Sequence, residues 1–202
     1  MNGLIKTGND MNEQKVNFQY NSLIDIQNTI RSIDIKISFL LLIILFPLSN
    51  LESFIKTMIN LYPTNLCYKI LYFCYFFLFS LSWVLSFICS IKSLVAIDNP
   101  TNHIIDNKKY KGLFYIPNLY SINFFDSIMN RDSIKSLSSI ENENKKLPED
   151  FSELSKELTF EQMKLAYIRD IKIIRQKWAF NFALFWILLG ALLIIKIFFS
   201  RI

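Results

Sequence analysis

The sequence predicts an all-α integral membrane protein with two to three transmembrane helices, the first and last extended as amphipathic helices into the cytosol. Three observations carry that expectation. Two long apolar runs contain no charge, a shorter third run precedes them, and two apolar seams at helical spacing lead straight into the first and last runs. Of 202 residues, 52% are hydrophobic and only 19% charged, less charge than a soluble domain of this length carries. The net charge of +5 suits loops beside an anionic leaflet and is too small to argue for nucleic acid. The wealth of Ile, Asn, Lys and Phe carries no functional weight.

The clearest run is Ile70 to Ile91, bracketed by Lys69 and Lys92. As a helix it spans roughly 33 Å, enough for a hydrocarbon core. Tyr68, Tyr72 and Tyr75 fit an interfacial aromatic belt. The second run, Trp178 to Ile195, lies between Lys177 and Lys196, with Asn181 as its one strongly polar side chain. The third, Ile37 to Leu48, is short, and Pro47 implies a kink or an early stop. A cleaved signal peptide is disfavoured, because a long mixed polar segment comes first and no small-x-small site follows. Flanking charges set the orientation. Arg31 and Lys36 precede the first span, Lys92 follows the second, and Arg169, Lys172, Arg175 and Lys177 precede the third. The N-terminus and segment 92–177 are therefore expected in the cytosol and the C-terminus outside, with Lys196 and Arg201 a small vote against.

Before the first span, Leu23, Ile26, Ile30, Ile33 and Ile37 recur at steps of three and four. Before the last, Phe160, Met163, Tyr167, Ile171, Ile174 and Trp178 do the same, widened by Leu158, Leu165 and Ile168. Each seam needs a partner, either the other seam or copies in a homo-oligomer. The expected organisation is a flexible tail over 1–15, a cytosolic amphipathic helix over 16–36 and a first transmembrane helix over 37–55. A short external loop over 56–69 and a second transmembrane helix over 70–91 follow. Then come a cytosolic insert over 92–150, an amphipathic helix over 151–177, a third transmembrane helix over 178–197 and a tail over 198–202. Within the insert, 113–120 reads as a short strand or interfacial loop, 121–128 as a helix and 140–150 as a mobile linker.

Chemistry for an enzyme is not legible. His103 is the one histidine and has no motif near it. Cys67, Cys74 and Cys89 lack metal-ligand spacing, so no metal is expected. No phosphate-binding loop, dinucleotide fingerprint or nucleophile elbow occurs. No charge lies mid-span, which argues against an ion relay through one chain. The chain is expected to be neither an enzyme nor a cofactor carrier.

Ile33-Asp34-Ile35-Lys36, running into Ile37-Ser38-Phe39-Leu40-Leu41, resembles the "D-x-K then apolar helix" start of the Pycsar effector transmembrane proteins. The second span ending near Ala96 to Pro100 fits that plan, as does an insert with aromatic pairs, here Phe114-Tyr115 and Phe124-Phe125. Ile173-Ile174-Arg175-Gln176-Lys177-Trp178 is similar to the family's "I-x-x-x-K-Y" element, with Trp178 in place of the usual Tyr and Asp170 where a small polar or apolar residue is more common. The family motif thus rests on Asp34, Lys36, Lys177 and Trp178, within a resemblance over roughly residues 20 to 200. The resemblance implies an antiphage effector of the bacterial cell inner membrane, partnered with a pyrimidine nucleotide cyclase. Its ligand would be cyclic UMP or cyclic CMP, and activation would impair membrane integrity and abort infection. The alternative is a non-enzymatic structural or accessory subunit of a membrane complex.

A nucleotide sensed in the cytosol needs cations for its phosphate and an aromatic face for its base. Lys108, Lys109, Tyr110 and Lys111 supply both types in one place, and Arg169, Arg175 and Lys177 supply further charge. Lys108 to Lys111 taken alone reads more readily as a solvated basic loop near anionic lipid. Lys36 and Lys177 read first as flanking lysines that snorkel to the interface; the alternative is an ion pair of Asp34 with Lys177 or Arg175 that joins the two long helices.

Overall fold

The structure is a computed structural model describing residues 2–60, 62, 63, 65–95, 100–105, 110, 112 and 136–199, with side chains from residue 11 onward except at 54 and 60. The described residues form helix α1 (Asn2–Leu45), a 3-10 segment (Phe46–Asn50), α2 (Leu51–Asn60), α3 (Leu66–Leu94), a 3-10 turn (Pro100–His103), α4 (Ile140–Asn144) and α5 (Phe151–Phe199). No β-strand occurs among them. Among the described residues, three helical stretches are long and apolar enough to cross a membrane: α1 with the turn after it, α3, and α5. The contacts divide the chain into two units, 1–27 with 99–167 and 28–98 with 168–202.

Helix α1 buries one stripe, Gln19, Leu23, Ile33, Ile37, Leu40 and Ile44, with Ile26 and Ile30 half-buried between. The steps along it alternate four and three, the spacing of a helix laid against a neighbour. The helix starts at Asn2, so residues 2–15 of the expected flexible tail are helical instead. Asn12, Lys15 and Val16 face Phe151, Ser152 and Ser155 of α5, which gives that first stretch a neighbour to pack on.

Helix α1 ends at Leu45, not at residue 55. Pro47 stands at the start of the 3-10 segment and lacks the N–H that would satisfy the carbonyl three or four residues back. The Trp83 indole Nε1 donates to the Ile44 carbonyl at 2.9 Å and takes over that role. The chain then resumes as α2, so the expected first span over 37–55 is three pieces. The expected loop over 56–69 likewise contains the end of α2 and the start of α3.

In the second unit, α1, α3 and α5 enclose one apolar cluster: Ile33, Ile37, Leu40, Ile44, Ala179 and Ala183. Helix α3 turns Phe79, Ser82, Ser86, Ser90 and Ser93 inward and most of its large apolar side chains outward. Ser86 Oγ donates to the Ala179 carbonyl at 2.9 Å, so small residues on both helices allow close approach.

Helix α5 is continuous over the expected segments 151–177 and 178–197. Asp150 caps it, its Oδ1 accepting from the Glu153 N–H at 3.1 Å. Its inward face follows the expected seam only in part. Leu158 and Phe160 are buried and Tyr167 and Ile171 half-buried, but Met163, Ile174 and Trp178 are exposed, and Lys172, Ala179, Ala183 and Leu193 are buried instead. Small and paired polar residues inward with bulk outward is the pattern of helices that pack closely in an apolar medium, and in this half of α5 it departs from a reading based on hydrophobicity alone.

Of the insert, the expected strand or loop at 113–120 and helix at 121–128 lie outside the described residues. The expected linker at 140–150 contains α4 instead. Ser139 caps it by accepting from the Asn142 N–H at 3.3 Å. Hydrogen bonds from Lys146 and Ser138 hold the Glu143 carboxyl below the usual carboxylate range.

Candidate functional site

In the first unit, the polar start of α5 meets α1 and the insert. Gln19 stands where the apolar stripe of α1 would otherwise continue. Its amide Nε2 donates to Thr159 Oγ1 at 2.9 Å and to the Ser155 carbonyl at 3.3 Å, and its Oε1 accepts from Ser155 Oγ at 3.0 Å. Gln162 Nε2 donates to the Gln19 carbonyl at 2.8 Å. One polar residue in an apolar stripe, fully hydrogen-bonded, sets the register of two helices.

Beside this clamp lies a cavity of 290 Å³, bordered by Lys15, Tyr110, Lys156, Thr159, Phe160 and Met163 among others. Its size is at the lower edge of small-molecule sites, about 300–1,000 Å³. Tyr110 stacks on the buried Phe160, ring centroids 5.3 Å apart, and Lys164 Nζ lies 5.1 Å from the Phe160 centroid. Glu157, Glu161 and Lys164 fall on one face of α5 at steps of four and three, and all are buried. Lys164 pairs with Glu161, and the Gly112 N–H donates to Glu157 Oε2 at 3.0 Å. Gly112 has φ +65°, a conformation that other residues rarely adopt, and this turn brings its N–H to Glu157 on α5. His103, expected to be solvated, is exposed yet stacks on Tyr167 with centroids 4.4 Å apart.

The expected ligand residues fare differently. Tyr110 borders the cavity. Lys108, Lys109 and Lys111 lie outside the described residues. Arg169, Arg175 and Lys177 belong to the second unit. Arg169 pairs with Asp170 at 2.9 Å. Arg175 donates to the Lys92 carbonyl in the last turn of α3 at 2.5 Å, where a cation also meets the negative end of the helix dipole. Lys177 is exposed, as is Lys36, and Trp178 stacks on Phe182.

Asp34 pairs with neither Lys177 nor Arg175. Its partner is Lys172, at 2.5 Å. Lys177 is five residues further along, about 140° around the helix, so the two lysines cannot face the same neighbour. The pair joins α1 to α5 where both change from polar to apolar sequence. Lys15, Lys156, Lys164 and Gln19 were missed from the sequence. The four-and-three spacing of Glu157, Glu161 and Lys164 was the available signal.

Comparison with known proteins found no matching family model, no matching curated protein and no matching solved structure.

Proposed function

We propose that this chain is a signal-gated membrane effector: a ligand met in the first unit changes how the helices of the second unit associate within a bilayer. One observation carries the reading. Helices α1 and α5 each run unbroken from polar sequence into apolar sequence, so an event at one end of either is conveyed along a continuous backbone. A ligand acts on such an element only by binding one arrangement better than another. The cavity beside Lys15, Lys156 and Tyr110 offers cations and an aromatic face to an anionic ligand with a planar ring. With the resemblance to Pycsar effectors, the reading becomes specific. The ligand is cyclic UMP or cyclic CMP from a partner cyclase, the site of action is the bacterial inner membrane, and loss of membrane integrity aborts infection.

The test is co-expression with an active or an inactive pyrimidine nucleotide cyclase, followed by uptake of a membrane-impermeant dye. Dye should enter only when the chain and the active cyclase are both present. A chain that sits in the membrane yet stays inert with the active cyclase would instead be a structural or accessory subunit.

A further inference from the structure

The second unit contains an apolar groove of 650 Å³. Phe46, Leu48 and Met58 line one side, Phe79 and Trp83 of α3 a second, and Trp186 of α5 a third. The groove exists because α1 stops. The stripe of α1 reaches as far as Ile44 in the apolar cluster it shares with α5. Beyond Pro47 the chain continues as the 3-10 segment and α2, whose side chains line a groove rather than prolong the stripe. On α5, Gly190 keeps the floor open: a Cβ there would stand 3.6 Å from the Phe79 ring. An apolar cavity of about 150 Å³ already takes up benzene, so this groove has room for a much longer hydrocarbon.

A cationic collar adjoins it. Tyr62 and Tyr72 meet edge to face with centroids 5.9 Å apart. Lys69 Nζ lies 5.5 Å from the Tyr62 centroid and Lys196 Nζ 5.9 Å from that of Tyr72. The Tyr72 hydroxyl donates to the Met58 carbonyl at 2.8 Å, which ties the collar to the groove wall. Lys56 is paired with Glu52 at 2.7 Å, but Lys69 and Lys196 have no acidic partner among the described residues. Positive charge beside an apolar slot complements a molecule with an anionic head and a hydrocarbon tail.

We propose that this groove holds an acyl chain of an anionic phospholipid from the surrounding bilayer, with the phosphate met by Lys69 and Lys196. The proposal rests on the membrane reading above. It adds a lipid site at the end of α3 and α5 away from the Asp34–Lys172 pair. An anionic lipid seated there would supply the cover that a longer α1 would have given.

The chain has 3 Trp, and Trp178→Phe leaves Trp83 and Trp186, which both border the groove, as its indoles. The full-length Trp178→Phe protein is reconstituted into vesicles of phosphatidylcholine with one-fifth phosphatidylglycerol. Mid-chain bromine, a contact quencher of indole, is placed on one lipid or the other. Without selection, quenching follows abundance, about fourfold in favour of phosphatidylcholine. The expected result is that bromine on the minor phosphatidylglycerol quenches at least as strongly, because each lysine enriches anionic lipid by about fivefold. Lys69→Gln with Lys196→Gln should return quenching to abundance. Gly190→Leu, which puts a side chain into the groove, should weaken the phosphatidylglycerol quenching while the protein still floats with the vesicles.

Quenching in proportion to abundance in the unmutated groove overturns the proposal, as does phosphatidylglycerol quenching that Gly190→Leu leaves unchanged. Absence of quenching together with a crosslinked dimer overturns it in favour of a second copy over the groove. Protein that floats but shows no selection defeats this proposal alone, whereas protein that fails to float defeats the membrane reading with it.

Discussion

The Lys172 ammonium is held at 7% side-chain exposure, and Asp34 is the acid that meets it. Removing one partner of a buried pair strands a charge, at about 3–5 kcal/mol for a fully buried pair. Asp34 is 37% exposed, so water offsets part of that. Asp34→Ala should therefore cost about 2 kcal/mol in thermal unfolding of the detergent-solubilised protein. Asp34→Lys should cost more, and Asp34→Lys with Lys172→Asp should recover most of the loss. A double variant no better than its singles would show that the two side chains act separately. This pair was half-legible in sequence. Asp34 at the polar-to-apolar change of α1 invited a cation from the last long helix. The partners the sequence offered, beside the reading of snorkelling lysines, were the cations nearest the apolar run, Arg175 and Lys177. Charges surround α5 on several faces there, and only the position of α1 selects Lys172. Gln19 was illegible for a related reason: a polar residue ahead of an apolar seam reads as its end, although its hydrogen bonds to Ser155 and Thr159 make it part of the contact.

The break after Leu45 is the element on which the groove and the short first span both depend. Trp83→Phe should leave the Ile44 carbonyl without its donor, at a cost of about 1–3 kcal/mol for a buried unsatisfied group. Pro47→Ala restores a backbone N–H in reach of that carbonyl, so Trp83→Phe should cost markedly less in a Pro47→Ala background. Equal costs in both backgrounds would mean that Pro47 is not why the indole is needed. The stripe of α1 could be read directly, because Ile at steps of four and three lies against a neighbour in water and in lipid alike. The stripe of α5 could not. From Lys172 onward its buried residues are Lys172, Ala179, Ala183 and Leu193, and most of its large apolar side chains there turn outward. A direct check compares Ala179→Leu with Ile174→Ala. Overfilling the contact that Ala179 makes with Ser86 should cost about 1–3 kcal/mol. Truncating the exposed Ile174 should leave stability within about 0.5 kcal/mol. The opposite order would restore the seam through Ile174 and Trp178.

Across the whole molecule, the membrane reading turns on the first span. The uncharged stretch of α1 from Ile37 to Leu45 rises only about 13 Å, against a hydrocarbon core of roughly 30 Å. The remaining distance falls to the 3-10 segment and α2, and α2 carries the exposed Glu52–Lys56 pair. The start of α3 therefore lies on the far side only if those pieces complete the crossing, with the bilayer thinned around them. The chain carries its own reporters. Cys67 is exposed in the first turn of α3, and Cys74 is exposed two turns further into the apolar run. In intact cells a membrane-impermeant maleimide should label Cys67. On the membrane reading, Cys74 and Cys89 should stay unlabelled until detergent is added, because a reagent that does not enter lipid cannot reach the apolar run. A Cys67→Ser protein should then take up no label from outside. Labelling of Cys67 only after the cells are opened would place the start of α3 in the cytosol. Because Asp34 pairs with Lys172 at the start of the apolar part of α5, the first stretch would still cross, and the whole orientation would be reversed. Reporter fusions at Asn102 and at the C-terminus read the same question from the other ends. The expected orientation puts Asn102 inside and the C-terminus outside, whereas the reversed one puts Asn102 outside and the C-terminus inside.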